Sequence, residues 1–181
     1  NPIAANIGRS KKVSNDDAPG DYSSTLDILW DYSDFFILNI SSPNTPGLRE
    51  LQEEEHLSKV LLACNNVRER KGNYKPILLK FSPDMENEQL LNSVETSLKS
   101  GVDGFVATNT TLSRYVPKNS QSRSVFAQTG GLSGRPLKSR SLEVVNLLYD
   151  YTESKIPIVG VGGIDSPESA WDMINSGASL I

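Results

Sequence analysis

Short apolar runs alternate along this chain with stretches whose apolar positions recur every three or four residues, and few folds accept that alternation. Ile3–Ile7 (weakly), residues 35–40, Ile77–Phe81, Gly104–Thr108 and Ile156–Val161 read as strands. Between them, helical spacing is held by Leu26, Ile28, Leu29 and Tyr32, by Leu57, Val60, Leu61, Cys64 and Val67 within residues 53–71, by Leu90, Leu91, Val94 and Leu98, and by Leu142, Val145, Leu148 and Tyr151. Ser166-Pro167-Glu168 opens a last helix with an N-cap and a proline at the first helical position, Gly177 closes it, and Ser179-Leu180-Ile181 begins one more strand. A strand followed each time by a helix specifies a parallel sheet, because a parallel neighbour is reached only by a crossover. Gly8–Ser24 is polar and reads as a loop. Leu112–Leu137 is longer than a connector needs, which points to function or mobility.

The reading gives five strands and the start of a sixth, with no linker dividing them and no repeat beyond the βα rhythm. A closed (β/α)8 barrel takes eight strands and roughly 250 residues. An open barrel would expose strand edges that native proteins avoid. The chain of 181 residues therefore reads as the middle of a larger domain, with a smaller doubly wound sheet as the alternative fold.

Composition narrows the function classes. The chain is 37% hydrophobic and 22% charged, enough for one globular core. A net charge of −4 without a lysine or arginine run argues against a nucleic-acid groove, the most basic stretch, Arg68–Lys75, lying at a helix end. No apolar run reaches the ~20 residues of a membrane span, and no signal peptide is expected at the start. One cysteine, Cys64, and one histidine, His56, exclude an intrachain disulfide, a multi-cysteine metal site and most triads, so no metal is expected. Cys64 is expected in the core and His56, after three glutamates, in solvent.

Polar residues gather where each strand meets its following loop: Asn6 and Gly8, Asn39 to Asn44, Lys80, Thr108-Asn109-Thr110, and Gly160 to Gly163. In a barrel all these positions meet at the C-terminal mouth. The densest run is NISSPNTPGL, from Asn39 to Leu48. Its carboxamides suit a planar, amide-rich ligand and its hydroxyls could accept or relay a proton, although a polar turn satisfying its own backbone has the same composition. Lys80, ending the run PILLK, either snorkels to solvent or meets an anion. Thr108-Asn109-Thr110 either turns the chain or binds. Gly130–Gly134 and Gly162-Gly163 leave bare amides able to approach a phosphate, though glycines also serve tight turns.

Taken together, NISSPNTPGL, KFSPD, ATNTT, TGGLSGRPL, PIVGVGGIDS and GASLI resemble the dihydroorotate dehydrogenases, specifically their class 2, quinone-linked branch, in the family's order and over nearly the whole chain. Class 1 enzymes carry Cys where this chain has Ser42, and Cys64, on a helix, is not that base. The resemblance implies an α/β fold, the (β/α)8 TIM barrel, with residues 1–181 a partial FMN-binding domain covering roughly strands 3 to 7 and the start of strand 8. It implies oxidation of (S)-dihydroorotate to orotate in de novo pyrimidine (UMP) biosynthesis, with FMN taking the hydride and a quinone as final acceptor.

By the same resemblance, Ser42 would remove the C5 proton and pass its own on through water or Thr45, while hydride leaves C6 for flavin N5. Asn39, Asn44, Asn109 and Thr110 would bind the substrate's carboxylate and ring amides. Lys80 would lie at the flavin N1/O2 edge. Asn6, Asn39, Thr108, Ser133 and Gly162 would also contact FMN, with the amides of Gly134 and Gly163 on its phosphate.

Membrane association, at the bacterial cytoplasmic or mitochondrial inner membrane, would run through a region absent from this chain. The family's early FMN strand, its substrate-binding lysine and its NRxGF segment would lie upstream of Asn1, and the Tyr-Ser/Thr pair of its phosphate site downstream of Ile181. Phe81-Ser82 replaces the usual Ile-Ala beside Lys80. The isolated polypeptide is expected neither to close its barrel nor to turn over. The alternatives are another FMN barrel oxidoreductase (class 1, or like dihydropyrimidine dehydrogenase), against which Ser42 argues, and an inactive fragment retaining only the fold, against which intact Lys80, Ser42 and the three asparagines argue.

Overall fold

The structure is a computed structural model and describes residues 1–114 and 127–181. Five strands, β1 (Ala4–Gly8), β2 (Phe35–Asn39), β3 (Ile77–Phe81), β4 (Gly104–Ala107) and β5 (Ile158–Gly160), form one sheet in the order β1-β2-β3-β4-β5, every neighbouring pair parallel. The crossovers contain helices α1 (Ala18–Leu29), α2 (Glu54–Lys71), α3 (Asn87–Lys99) and α4 (Lys138–Tyr151), and α5 (Pro167–Asn175) follows β5. Short 3-10 turns lie at Trp30–Tyr32, Leu48–Gln52 and Arg135–Leu137.

The strand order decides between the two candidate folds. A doubly wound sheet reverses direction at a switch point, whereas this chain steps one way throughout. That single winding is the wall of a (β/α)8 barrel. Leu180 already bridges Val159 in parallel, so the expected next strand begins where the sequence placed it.

Register sorts the strand side chains into two faces, since successive residues alternate across a sheet. Ile7, Leu38, Leu79, Phe105 and Ile158 are partners in one row and are buried. Their core partners come from the helices: Tyr22 and Leu26 of α1, Leu61 and Cys64 of α2, Leu90 and Val94 of α3, Val145 and Leu148 of α4. Trp30 stacks on Phe36 at 5.3 Å. Burial of each large side chain contributes about 1.5–3 kcal/mol, so this outer layer holds the sheet. The opposite face carries Asn6, Ile37, Leu78 and Gly104 in one row and Gly8, Asn39, Lys80, Val106 and Val159 in the next. The second row ends each strand and sets the site.

Several boundaries differ from those the sequence suggests. Gly8–Ser24 is not all loop: α1 starts at Ala18 with Pro19 in its first turn, and its buried stripe is Ala18, Tyr22 and Leu26, continued by Trp30. Ile28 and Tyr32, read as part of the apolar stripe, are 72% and 77% exposed. The hidden stripe begins with a small alanine and a tyrosine among polar residues, so hydrophobic periodicity misses it. β1 runs one residue later than Ile3–Ile7, and β5 keeps only the centre of Ile156–Val161. Cys64 is buried as expected, and burial pushes its thiol up to about 12, which removes it as a nucleophile near neutral pH. His56 is half-buried rather than in open solvent. Ser166 caps α5 in a reciprocal box with Ser169. Much of the long loop expected over 112–137 lies outside the described residues. Its described ends pair through Thr111 and Leu132. No helix of the described residues is long and apolar enough to cross a membrane, and no cluster among them could hold a metal ion.

Candidate active site

The ends of β2 and β4 bring their asparagines together. Asn109 Nδ2 donates to Asn39 Oδ1 at 3.0 Å and to Ser41 Oγ at 3.1 Å. The same Asn39 oxygen accepts from the Ser41 amide and hydroxyl, each at 3.2 Å. Asn109 Oδ1 takes the Thr110 amide at 2.8 Å. With its oxygen committed, the Asn39 side chain has its N–H donors left for a ligand. Ser41 is fully buried, so this network is rigid from beneath.

Ser42 is half-buried in the next turn, and its Oγ accepts the Asn44 amide at 3.3 Å. The turn thus satisfies its own backbone, and that bond also favours negative charge on the serine oxygen. Thr45 is half-buried and its hydroxyl has no hydrogen-bond partner among the described residues. Asn44 is exposed, beneath Gly130. Gly131 crosses Thr110 so closely that an added Cβ would stand 1.8 Å from Thr110 Oγ1. The loop after β4 therefore lies directly over Asn44 and Thr110, which only a missing side chain permits.

Lys80 is the register partner of Asn39, on the same face. Burial lowers its pKa, and among the described residues it has neither an acidic partner nor a hydrogen bond. A snorkelling lysine would reach water fully; this one stops half-buried. Asn6 is exposed in the row below, on neighbouring β1. Thr108 is buried and bonds Ser141 Oγ of α4 at 3.1 Å, so its hydroxyl faces that helix.

Gly163, buried at φ +72°, passes the first residue of α4 so closely that a Cβ would lie 2.6 Å from Lys138 Cβ. Gly162 packs as tightly on Ser141 and Leu137. These glycines first serve loop-to-helix packing. Their N–H groups, with that of Gly134 at the start of the Arg135–Leu137 turn, donate to no acceptor among the described residues. Ser133 beside them is exposed.

Further residues brace the site without having been singled out as functional. Tyr22 OH donates to Asn39 O at 2.8 Å, and burial raises its pKa so that it stays a donor. Arg9, 8% exposed, donates to Pro46 O at 2.5 Å, and Asn15 to Gly47 O at 2.9 Å. Arg49 pairs with Asp84 at 2.9 Å. Arg49 follows directly on the polar run NISSPNTPGL and Asp84 closes the run KFSPD, which is the signal that could have found them. Clefts of about 580 and 530 Å³ lie outside the asparagine cluster, one between the start of α2 and the length of α3, the other between the starts of α3 and α4, and none of the three asparagines lines either. The asparagines themselves stand on the inner face, a surface that a closed barrel encloses.

Fold and site together give the C-terminal face of a barrel wall, with polar groups on the ends of singly wound strands, the face on which barrel enzymes carry their active sites. The family model for dihydroorotate dehydrogenase matches residues 2–181, and the chain belongs to that family. It is 42% identical over 179 residues to a protein of Christiangramia forsetii named dihydroorotate dehydrogenase (quinone), covering 99% of this chain and 52% of that one. A protein of the same name from Anaeromyxobacter dehalogenans is 42% identical, with 99% and 49% covered. The crystal structure of DHODH from Eimeria tenella in complex with ferulenol superposes with a TM-score of 0.88 at 32% identity, over 98% of this chain and 50% of that one. The chain spans about half the length of the curated relatives it matches.

Proposed function

We propose that residues 1–181 form part of the FMN-binding barrel of a quinone-linked dihydroorotate dehydrogenase, which oxidises (S)-dihydroorotate to orotate in pyrimidine biosynthesis. The observation that carries this reading is Ser42 standing beside the Asn39–Asn109 carboxamide network, with Lys80 the register partner of Asn39.

The residues fit a flavin mononucleotide. A half-buried cation without an acidic partner among the described residues suits the electron-rich edge of a flavin, and the unengaged amides of Gly134, Gly162 and Gly163 suit its phosphate. Lys80 would lie at the ring, Asn6, Asn39 and Thr108 near it, and Ser133 at the phosphate. When bound, FMN supplies the acceptor for the hydride leaving C6 of the substrate.

The protein groups do the rest. Asn39, Asn44, Asn109 and Thr110 hold the substrate's carboxylate and ring amides, and an analogue lacking one of those groups leaves its partner among them unpaired. Ser42 takes the C5 proton and hands its own hydroxyl proton on towards solvent through water or Thr45. The Asn44 amide stabilises the charge that develops on its oxygen. Lys80 stabilises negative charge on the reduced side of the reaction.

A quinone acceptor places the protein at a membrane, bacterial cytoplasmic or mitochondrial inner, by contacts outside these residues. The class 1 reading gains nothing from the fold, and position 42 is serine.

The test is anaerobic mixing of dihydroorotate with the flavin-loaded full-length protein that carries these residues. Flavin absorbance should bleach rapidly and return with a quinone, but not with fumarate or NAD. A yellow protein that never bleaches refutes the substrate. Recovery with fumarate or NAD refutes the class.

A further inference from the structure

We infer that Arg49 and Asp84 are a positioning pair that sets the distance between the loops after β2 and β4, and thereby the affinity for the dihydroorotate–orotate pair of ligands, an inference that rests on the proposed function. The planar Arg49 fork reaches into three loops at once. Its Nη1 meets Asp84 Oδ2, in the loop after β3, at 2.9 Å, with the two side chains 26% and 19% exposed. Its Nε points to Ser41 O at 3.4 Å and its Nη2 to Thr110 O at 3.5 Å. Those carbonyls belong to the loop that carries Asn39, Ser42 and Asn44 and to the loop that carries Asn109 and Thr110.

The carbonyl contacts are long and weak alone. Asp84 supplies the firm contact, and it is itself anchored on the β4 side. Its Oδ2 accepts the Leu112 amide at 2.7 Å and its Oδ1 the Thr111 hydroxyl. Carboxylate and guanidinium together therefore tie the β2 loop to the β4 loop through the β3 loop. A lysine cannot replace the fork, since a point charge cannot address a carboxylate and two carbonyls in one plane. Ser42 is held by the Asn44 amide within its own loop. Loosening the pair should spread the groups that hold the substrate while the base keeps its local setting, so binding should suffer more than the chemical step.

Orotate affinity, read from perturbation of the flavin spectrum, and kcat and KM for dihydroorotate are measured on the flavin-loaded full-length protein. The variants are Arg49→Lys, Asp84→Asn and the double. Each single variant should raise the orotate Kd and the KM about tenfold, about 1.4 kcal/mol, with kcat within about threefold of wild type and flavin content unchanged. The double should bind no worse than the weaker single, because the two act as one unit. Wild-type affinity in the single variants, additive losses in the double, or a loss confined to kcat overturns the inference. If Arg49→Lys fails to retain flavin, Asp84→Asn, which keeps an acceptor for Leu112, decides by the same affinity criterion. A wild-type protein that does not bind orotate overturns the dihydroorotate reading and this inference with it, whereas wild-type binding with unaffected variants overturns the pair alone.

Discussion

A serine hydroxyl holds its proton too tightly to act alone near neutral pH, so what surrounds Ser42 decides what it can do. The Asn44 amide donates to its oxygen, and Thr45 lies three residues on with a hydroxyl uncommitted among the described residues. Ser42→Ala should therefore keep flavin and orotate binding while slowing flavin reduction by dihydroorotate about 100-fold or more, read by anaerobic stopped flow. An unchanged rate removes Ser42 as the base. Lys80 makes the opposite trade. Burial puts its folded pKa below the usual 10.5, so the unfolded chain binds more protons between the two values and stability rises with pH there. Below both values the cost of burying the charge is fully present. Lys80→Met should accordingly raise the melting temperature of the flavin-free protein near neutral pH, by a margin that shrinks as pH approaches 10.5, and should weaken flavin retention. A lower melting temperature would mean that Lys80 stabilises the fold by a contact of its own.

At the scale of elements, the site depends on how closely a loop can approach a helix. Gly163 meets Lys138 at the start of α4 with no room for a methyl group and with positive φ. Gly163→Ala should cost about 1–3 kcal/mol by overpacking and strain, measured by denaturant unfolding, and should raise the FMN dissociation constant because the loop bearing the free amides must move. Unchanged stability would show that the loop relaxes without cost. The sequence shows both glycines but not which purpose they serve, since a phosphate cradle and a tight packing contact ask for the same residue. The asparagines have the same ambiguity. Asn39 and Asn109 are legible as strand-end carboxamides, while their bond to each other at 3.0 Å links residues seventy positions apart and follows only from the pairing of β2, β3 and β4.

For the whole molecule, the exposed sheet edges matter most. β1 is unpaired on its outer side among the described residues, and β5 has beyond it only the Leu180 bridge. Such edges invite association. We expect the 181-residue polypeptide, expressed alone, to self-associate and to purify without flavin, checked by light scattering and absorbance. A yellow monomer would show that this portion folds and binds by itself. Strand and helix identity, the parallel sheet and the strand-end position of the polar residues were all legible in the sequence, because they depend on local periodicity and turn chemistry. The start of α1 was not, because its buried stripe is carried by alanine and tyrosine. The single winding direction, the shared face of Asn39 and Lys80, and the tie through Arg49 and Asp84 were decided only by tertiary structure, because each depends on contacts between residues far apart in the chain that no local pattern encodes.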